Sequence, residues 1–446
     1  SNMKIYVLLG TLFFSLLTFA NDTNDTPIDN SWLNTRDYRI DRPVGGLNDE
    51  EQDEFMLGRS FFSIPWVIAP SATTARDGLG PLFNANTCTS CHNGNGVGEL
   101  YGKEGKISRA MVTKLTRKSG KPVPFYGKQI AVNGTVAIPF EAMPTRKNTP
   151  VEVTYPDGHQ VTLQKPTYGL SHLNYGALPD DVIIVQRRAP ALVGLGLIGD
   201  IDKKDLLKNA DPDDKNNDGI SGRPNWVIDA NGEKKMGIYT AKAGVASVRE
   251  QTADAANHDM GLTNPVFPEE NCTPEQTACL QAPKGRPDYK GNTLDLTEQR
   301  LDAITAYLKK SRLPVQKLSE TSQHGKSLFQ SVGCVNCHID TFTTKDGKQI
   351  APYSDFLLHD MGEGLADGRT EFEASGSEFR TAPLWGLSTY AKTLKSKTPH
   401  YLHDGRAETV EQAILWHDGE AKAVKNRFMQ LPKKEREAIF SFLNQL

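Results

Sequence analysis

Cys88-Thr89-Ser90-Cys91-His92 returns in the last third of the chain as Cys334-Val335-Asn336-Cys337-His338. Two thiols spaced by two residues, with a histidine directly behind them, suit one chemistry that uses all three groups. The sulfurs add across the vinyl groups of a haem, and the adjacent imidazole becomes an iron ligand. A redox dithiol or half of a zinc site would use the cysteines and leave each histidine without a role. Two copies therefore predict two covalent c-type haems. Cys88, Cys91, Cys334 and Cys337 are the attachment points, and His92 and His338 are the proximal ligands.

Outward from these motifs the chain repeats itself. Gly58-Arg59-Ser60-Phe61-Phe62 stands ahead of the first motif, and Gly325-Lys326-Ser327-Leu328-Phe329 ahead of the second. Each half closes on an amphipathic helix. One lies over 297–310, with Leu301, Ile304 and Leu308 on one face; the other starts near Pro432 and carries Ile439, Leu443 and Leu446. Between them, Arg187-Arg188-Ala189-Pro190-Ala191-Leu192 echoes Phe379-Arg380-Thr381-Ala382-Pro383-Leu384. Ser247-Val248-Arg249-Glu250-Gln251 likewise echoes Thr409-Val410-Glu411-Gln412. The expectation is a mainly α protein of two cytochrome c-like haem domains, at 45–312 and 320–446.

The first half is much the longer, so it must hold insertions. Residues from about 105 to 170 are rich in Val, Thr, Gly and Pro, and Asp157-Gly158 separates two alternating runs, which reads as a β-hairpin in a β-rich insertion. A second insertion, 211–225, is acidic. Asp214, Asn216 and Asp218 followed by Gly219 match the opening of a calcium loop, but the twelfth position is Asn225 instead of Glu. Calcium and a solvated acidic turn both remain open there.

Over 446 residues, Lys+Arg 51 against Asp+Glu 54 leaves a net charge of −3, without the basic excess that a nucleic-acid partner demands. Residues 1–20 have the layout of a secretory signal: Lys4, an apolar run from Ile5 to Phe19, then Ala20 before polar residues. The run is too short to span a bilayer comfortably, so no stable membrane insertion is expected once it is removed. Export to the periplasm is the resulting expectation, and it suits both covalent haem attachment and a Cys272–Cys279 disulfide.

With these residues in view, the sequence resembles the bacterial di-haem oxidoreductases also called thiol oxidoreductases, distant relatives of the bacterial di-haem cytochrome c peroxidases. The segments that carry the resemblance include Arg76-Asp77-Gly78-Leu79-Gly80-Pro81 and Asp218-Gly219-Ile220-Ser221-Gly222-Arg223-Pro224-Asn225. In the second half they are His359-Asp360-Met361-Gly362-Glu363-Gly364 and Tyr401-Leu402-His403-Asp404-Gly405-Arg406. The resemblance implies peroxidase-like chemistry, with electrons from a small cytochrome or cupredoxin entering at the C-terminal haem and hydrogen peroxide reduced at the N-terminal one. It also places a second iron ligand of the C-terminal haem at His417; the rival Met361 stands where relatives carry an aliphatic residue and reads as packing, and His359 and His403 are lesser candidates. Asp259 matches the catalytic acid, while His258 or Met260 could instead close the first haem. Arg188 and Arg380 would pair with propionates, and Trp66 and Trp385 could stand near a haem. An electron carrier without a substrate, and an oxidase acting on an organic, thiol or protein substrate, are the alternatives.

Overall fold

Asn48 opens the first helix because its side chain accepts from the Glu51 amide at 2.8 Å while Glu51 reaches back to the Asn48 amide, a reciprocal cap. In the computed structural model, which describes residues 38–314 and 316–446, this helix is α1 (Asp49–Ser63). Five more helices matter for the sites. They are α2 (Val248–His258), α3 (Glu298–Lys309), α4 (Glu320–Val332), α5 (Val410–Trp416) and α6 (Lys433–Asn444). The secretory signal at 1–20 lies outside the described residues. Among those residues no helix is long and apolar enough to cross a membrane.

The repeated Gly-x-Ser motif has a packing cause. A Cβ on Gly58 would lie 1.9 Å from the Ala303 carbonyl oxygen, and one on Gly325 would lie 1.9 Å from that of Ala438. Thus α1 crosses α3, and α4 crosses α6, at a backbone approach that only glycine permits. Four residues beyond each glycine a phenylalanine joins the crossing to the motif. Phe62 sits 5.1 Å from Tyr307 and 6.5 Å from His92; Phe329 sits 5.4 Å from Phe442 and 6.2 Å from His338. Leu301, Ile304 and Leu308, like Ile439, Leu443 and Leu446, are buried as their periodicity requires.

The mainly α expectation fails. Helix makes up 27% and strand 20%, and the described residues contain seven separate two-stranded sheets. The helices frame each half, while the long segments between them are rich in Gly, Pro, Val and Thr and pair as ribbons. In the first insertion β1 (Met111–Arg117) and β4 (Val182–Arg188) run antiparallel, and β2 (Met143–Thr154) and β3 (Gln160–Ser171) form a long hairpin between them in sequence. It turns at Asp157-Gly158, where Gly158 takes φ 89°. Its Val151, Val153, Val161 and Leu163 pack into the core of the second half. Arg436 of α6 holds the turn through Asp157 at 2.9 Å.

The two halves also brace each other reciprocally. Tyr239 bridges Val245, and Tyr401 bridges Ala407, so each half owns a short closed loop. The Arg188 amide at the end of β4 donates to His403 O at 2.9 Å. The Arg380 amide, ending β6 (Glu378–Arg380) beside β5 (Leu358–Asp360), donates to Ala241 O at 2.8 Å. Each strand end is therefore tied to the loop of the other half. The expected disulfide is formed, Cys272 to Cys279, with Cα atoms 5.9 Å apart.

Candidate haem centres

Gly333, in the left-handed region at φ 102°, ends α4 and turns the chain into the second motif; the first stands directly after Thr87, whose hydroxyl accepts from the Ser90 amide at 2.9 Å. In both motifs the histidine amide bonds back to the first cysteine carbonyl, His92 to Cys88 at 3.0 Å and His338 to Cys334 at 2.9 Å. Each ring then donates Nδ1–H to a carbonyl: His92 to Pro190 at 2.9 Å, His338 to Tyr353 at 2.8 Å. A carbonyl can only accept, so the tautomer is set and Nε2 is left with its lone pair for a metal. Burial brings both imidazoles down to about 4, which keeps them neutral.

The four motif cysteines form no disulfide. Burial pushes the thiols of Cys88, Cys91 and Cys334 up to about 12 and raises that of Cys337. A dithiol exchanger needs the opposite shift, because the thiolate is its nucleophile. Geometry and protonation both suit covalent haem attachment.

In the second half, helix α5 begins with Thr409, whose hydroxyl accepts from the Gln412 amide at 3.1 Å, and ends at His417. His417 donates Nδ1–H to Ala413 O at 2.7 Å, and its ring centroid lies 6.4 Å from that of His338. With metal–nitrogen bonds of about 2 Å, two imidazoles on opposite sides of one ion have centroids roughly 6 Å apart. The pair fits a single iron.

The first half is built differently at the matching place. Ser247 caps α2 as Thr409 caps α5, but eight residues after the cap stands Ala255, not a histidine. Helix α2 runs on to His258, and Asp259 comes next. Its main-chain oxygen accepts from Asn84 N at 2.7 Å, and its carboxylate accepts from Gln129 Nε2 at 2.5 Å. Burial pushes this carboxyl up to about 6, and its charge in turn raises the Cys88 and Cys91 thiols. The acid therefore stands close to the first attachment site. A cavity of about 390 Å³ opens beside it, lined by Trp66, Leu79, Phe83, Asn84 and Arg109 among others, and Arg109 O lies 3.4 Å from Cys91 Sγ.

His258 turns to Asp254 at 2.9 Å. Burial alone would lower it, but the Asp254 hydrogen bond and charge hold it above the usual histidine range. Met260 is 3% exposed and packs in the first core. Trp66 and Trp385 are buried in that same core. Arg188 spends its amino groups on His400 O and Leu402 O, and Arg380 donates to Ile238 O at 2.8 Å. The Nε of each is buried without a partner among the described residues, and burial brings Arg380 down to about 10. A buried guanidinium without a carboxylate is costly, so two such groups fit the propionates of a haem.

The two lesser candidates, His359 and His403, have other duties. His359 is clamped between Asp355 Oδ2 at 2.7 Å and Glu420 Oε1 at 2.9 Å; both ring nitrogens are taken, although Cys337 Sγ lies 3.8 Å away. His403 stacks on Phe379 at 4.1 Å, and Met361 packs beside the second core. In the acidic loop the side chains of Asp214, Asn216 and Asp218 accept from amides of the loop itself. Asn225 is wholly buried and donates to Lys242 O at 2.8 Å, away from the loop. Gln129, Asp355 and Glu420 gave no sign in the sequence, because each meets its partner through the fold and none belongs to a recognisable spacing.

The profile of a family described as "Di-haem oxidoreductase, putative peroxidase" matches residues 143–446. Among solved structures, Kuenenia stuttgartiensis hydrazine synthase pressurised with xenon is similar at 12% identity, over 100% of each chain, with a TM-score of 0.32. No curated protein matches the sequence.

Proposed function

Because this chain belongs to the di-haem oxidoreductase family, we propose that it reduces hydrogen peroxide at its first centre with electrons that enter at its second. Cys88 and Cys91 hold one haem and Cys334 and Cys337 the other, with His92 and His338 as proximal ligands. His417 is the second ligand of the C-terminal iron, and neither His258 nor Met260 is assigned to the first. Arg188 and Arg380 take propionates. When bound, haem supplies an iron that passes electrons and, where a coordination position is open, accepts an oxygen ligand.

The carrying observation is the difference at matching helix positions. After its cap one helix presents His417 opposite His338, and the other presents Ala255 and then the Asp259 carboxylate near Cys88 and Cys91. A site with two imidazoles has no room for substrate and suits electron transfer; without a methionine ligand its potential should be low. In the other site Asp259 takes a proton from one peroxide oxygen and returns it to the second, which leaves as water. Two electrons and two protons convert each peroxide to two waters. A carboxyl near pH 6 is mostly a base at neutral pH, yet it can hold a proton briefly. The reading includes export to the periplasm and a small cytochrome or cupredoxin as donor.

Low-temperature EPR of the oxidised and half-reduced protein, before and after peroxide, tests it. A high-spin signal that peroxide consumes is expected. Two low-spin signals indifferent to peroxide in both states would replace the enzyme with an electron carrier.

A further inference from the structure

The β-rich insertion reaches the first centre at one point. Gln129 lies on a segment stitched to β1 from both sides: Leu115 N donates to Lys128 O at 2.8 Å, and Ile130 N donates to Thr113 O at 2.9 Å. On the far side Ala131 N donates to the buried Glu141 carboxylate at 2.8 Å, whose other oxygen accepts from Gln276 at 2.8 Å, beside the disulfide loop. The backbone around Gln129 is thus fixed, and its amide has a short, defined reach. It donates to Asp259 Oδ1 at 2.5 Å and stands 3.4 Å from His258 O.

We infer that Gln129 is the positioning residue for Asp259, holding one carboxylate oxygen so that the other faces the reacting peroxide. The inference rests on the proposed role of Asp259 and adds a purpose for the insertion, which an electron-carrying haem domain would not need. The chemistry is specific. An amide N–H can only donate, so it binds the charged carboxylate and keeps the acid ready to take a proton. The other groups around Asp259 are Lys114 on β1, Asp254 and His258 on α2, and the Cys88 and Cys91 thiols. Of these, Lys114, Asp254 and His258 act on the Asp259 carboxylate through charge, whereas the cysteine sulfurs are uncharged; its side-chain hydrogen bond comes from Gln129.

The test is an infrared pH titration of the whole haem-loaded protein, following the carboxylic C=O band that disappears in Asp259→Asn. Gln129→Leu removes the donor and should move the midpoint up by about one pH unit. Gln129→Glu keeps the shape but sets a like charge against Asp259, and should move it further in the same direction. The acidic limb of peroxide consumption should shift in that order, with the low-spin EPR of the second haem unchanged. A purely structural role would not order the two variants this way. If both midpoints stay at the parent value while Asp259→Asn abolishes turnover, Gln129 has no positioning role and the proposed function stands. If Asp259→Asn leaves turnover intact, the role of Asp259 itself is wrong.

Discussion

The two motifs are held by the same devices: a glycine at a helix crossing, a phenylalanine against the histidine, and a carbonyl that fixes Nδ1. On the opposite side of each centre the likeness stops. The second half ends a short helix on His417 and closes the space with a second imidazole. The first half extends the matching helix past Ala255 and delivers a carboxylate. The parts that hold the two motifs are alike and the matching capped helices differ, so in the proposed function the chemistry of each centre depends on the residues at the end of one such helix.

The strongest way to break this comparison is His417→Ala. The second haem should convert wholly from low spin to high spin and begin to bind azide; an unchanged spectrum would show that His417 is not the ligand. Asp259→Asn comes next. General acid–base groups contribute roughly 10²- to 10⁴-fold, so peroxide consumption should fall by about that much with haem content and the second low-spin signal intact. A rate within twofold of the parent would leave the two centres without the functional difference proposed here.

The cross-braced loops differ as the centres do. Where the Tyr239–Val245 loop carries Lys242, the Tyr401–Ala407 loop carries Asp404. Asp404 is wholly buried, bonded to Arg406 at 2.9 Å and to the Tyr168 hydroxyl, while its carbonyl accepts from Arg146 at 2.8 Å. Lys242 has carbonyl partners, Ser375 O and Glu378 O, and lies over Phe379. Removing one member of a buried ion pair strands the other, so Asp404→Asn should cost about 3–5 kcal/mol. Lys242→Met leaves only carbonyls unpaired and should cost about 1–3 kcal/mol. Equal losses in denaturant titrations would remove the distinction.

The legible and the hidden parts of the molecule divide along the same line. The Asp157-Gly158 turn is readable because one short segment contains its own cause, and the Gly58 and Gly325 segments, like those at Ser247 and Thr409, are readable because each is repeated in the other half. Beyond the expected hairpin at Asp157-Gly158, the ribbons that overturn the mainly α expectation depend on pairing between distant segments, such as Met111 with Arg188. No local period announces them. Site residues obey the same division. His417 is legible through the family resemblance, which places a ligand at that position, whereas Gln129 meets Asp259 across 130 positions, and the Glu420 clamp on His359 needs a folded chain to exist. His359 reads as a candidate ligand because histidine is a ligand type; only the placement of Asp355 and Glu420 shows that its nitrogens are spent.

The smallest expected effect concerns His403, whose counterpart in the first loop is Ala241. Its ring stacks on Phe379 at an interplanar angle of 19°, with Arg187 and Lys242 also over that phenylalanine. Burial first, and then the Arg187 and Arg406 charges, bring the imidazole down to about 3 against the pull of Asp404. The folded state therefore keeps His403 neutral where an unfolded histidine, near 6.5, takes a proton. Between those values the unfolded chain binds more protons, so stability falls as pH falls from about 6.5 and is flat in this respect above it. At pH 5 the contribution is about 2 kcal/mol. The His359–Glu420 clamp has the opposite histidine sense: His359 is raised, so its contribution is full below 6.5 and is lost only as pH rises through its folded value. Melting curves of His403→Gln and the parent should converge as pH drops from 7.5 to 5, because the variant lacks the group that must charge. A constant gap across that range would mean that His403 titrates in the folded protein as it does in the unfolded chain, and that the seam between the halves is wet.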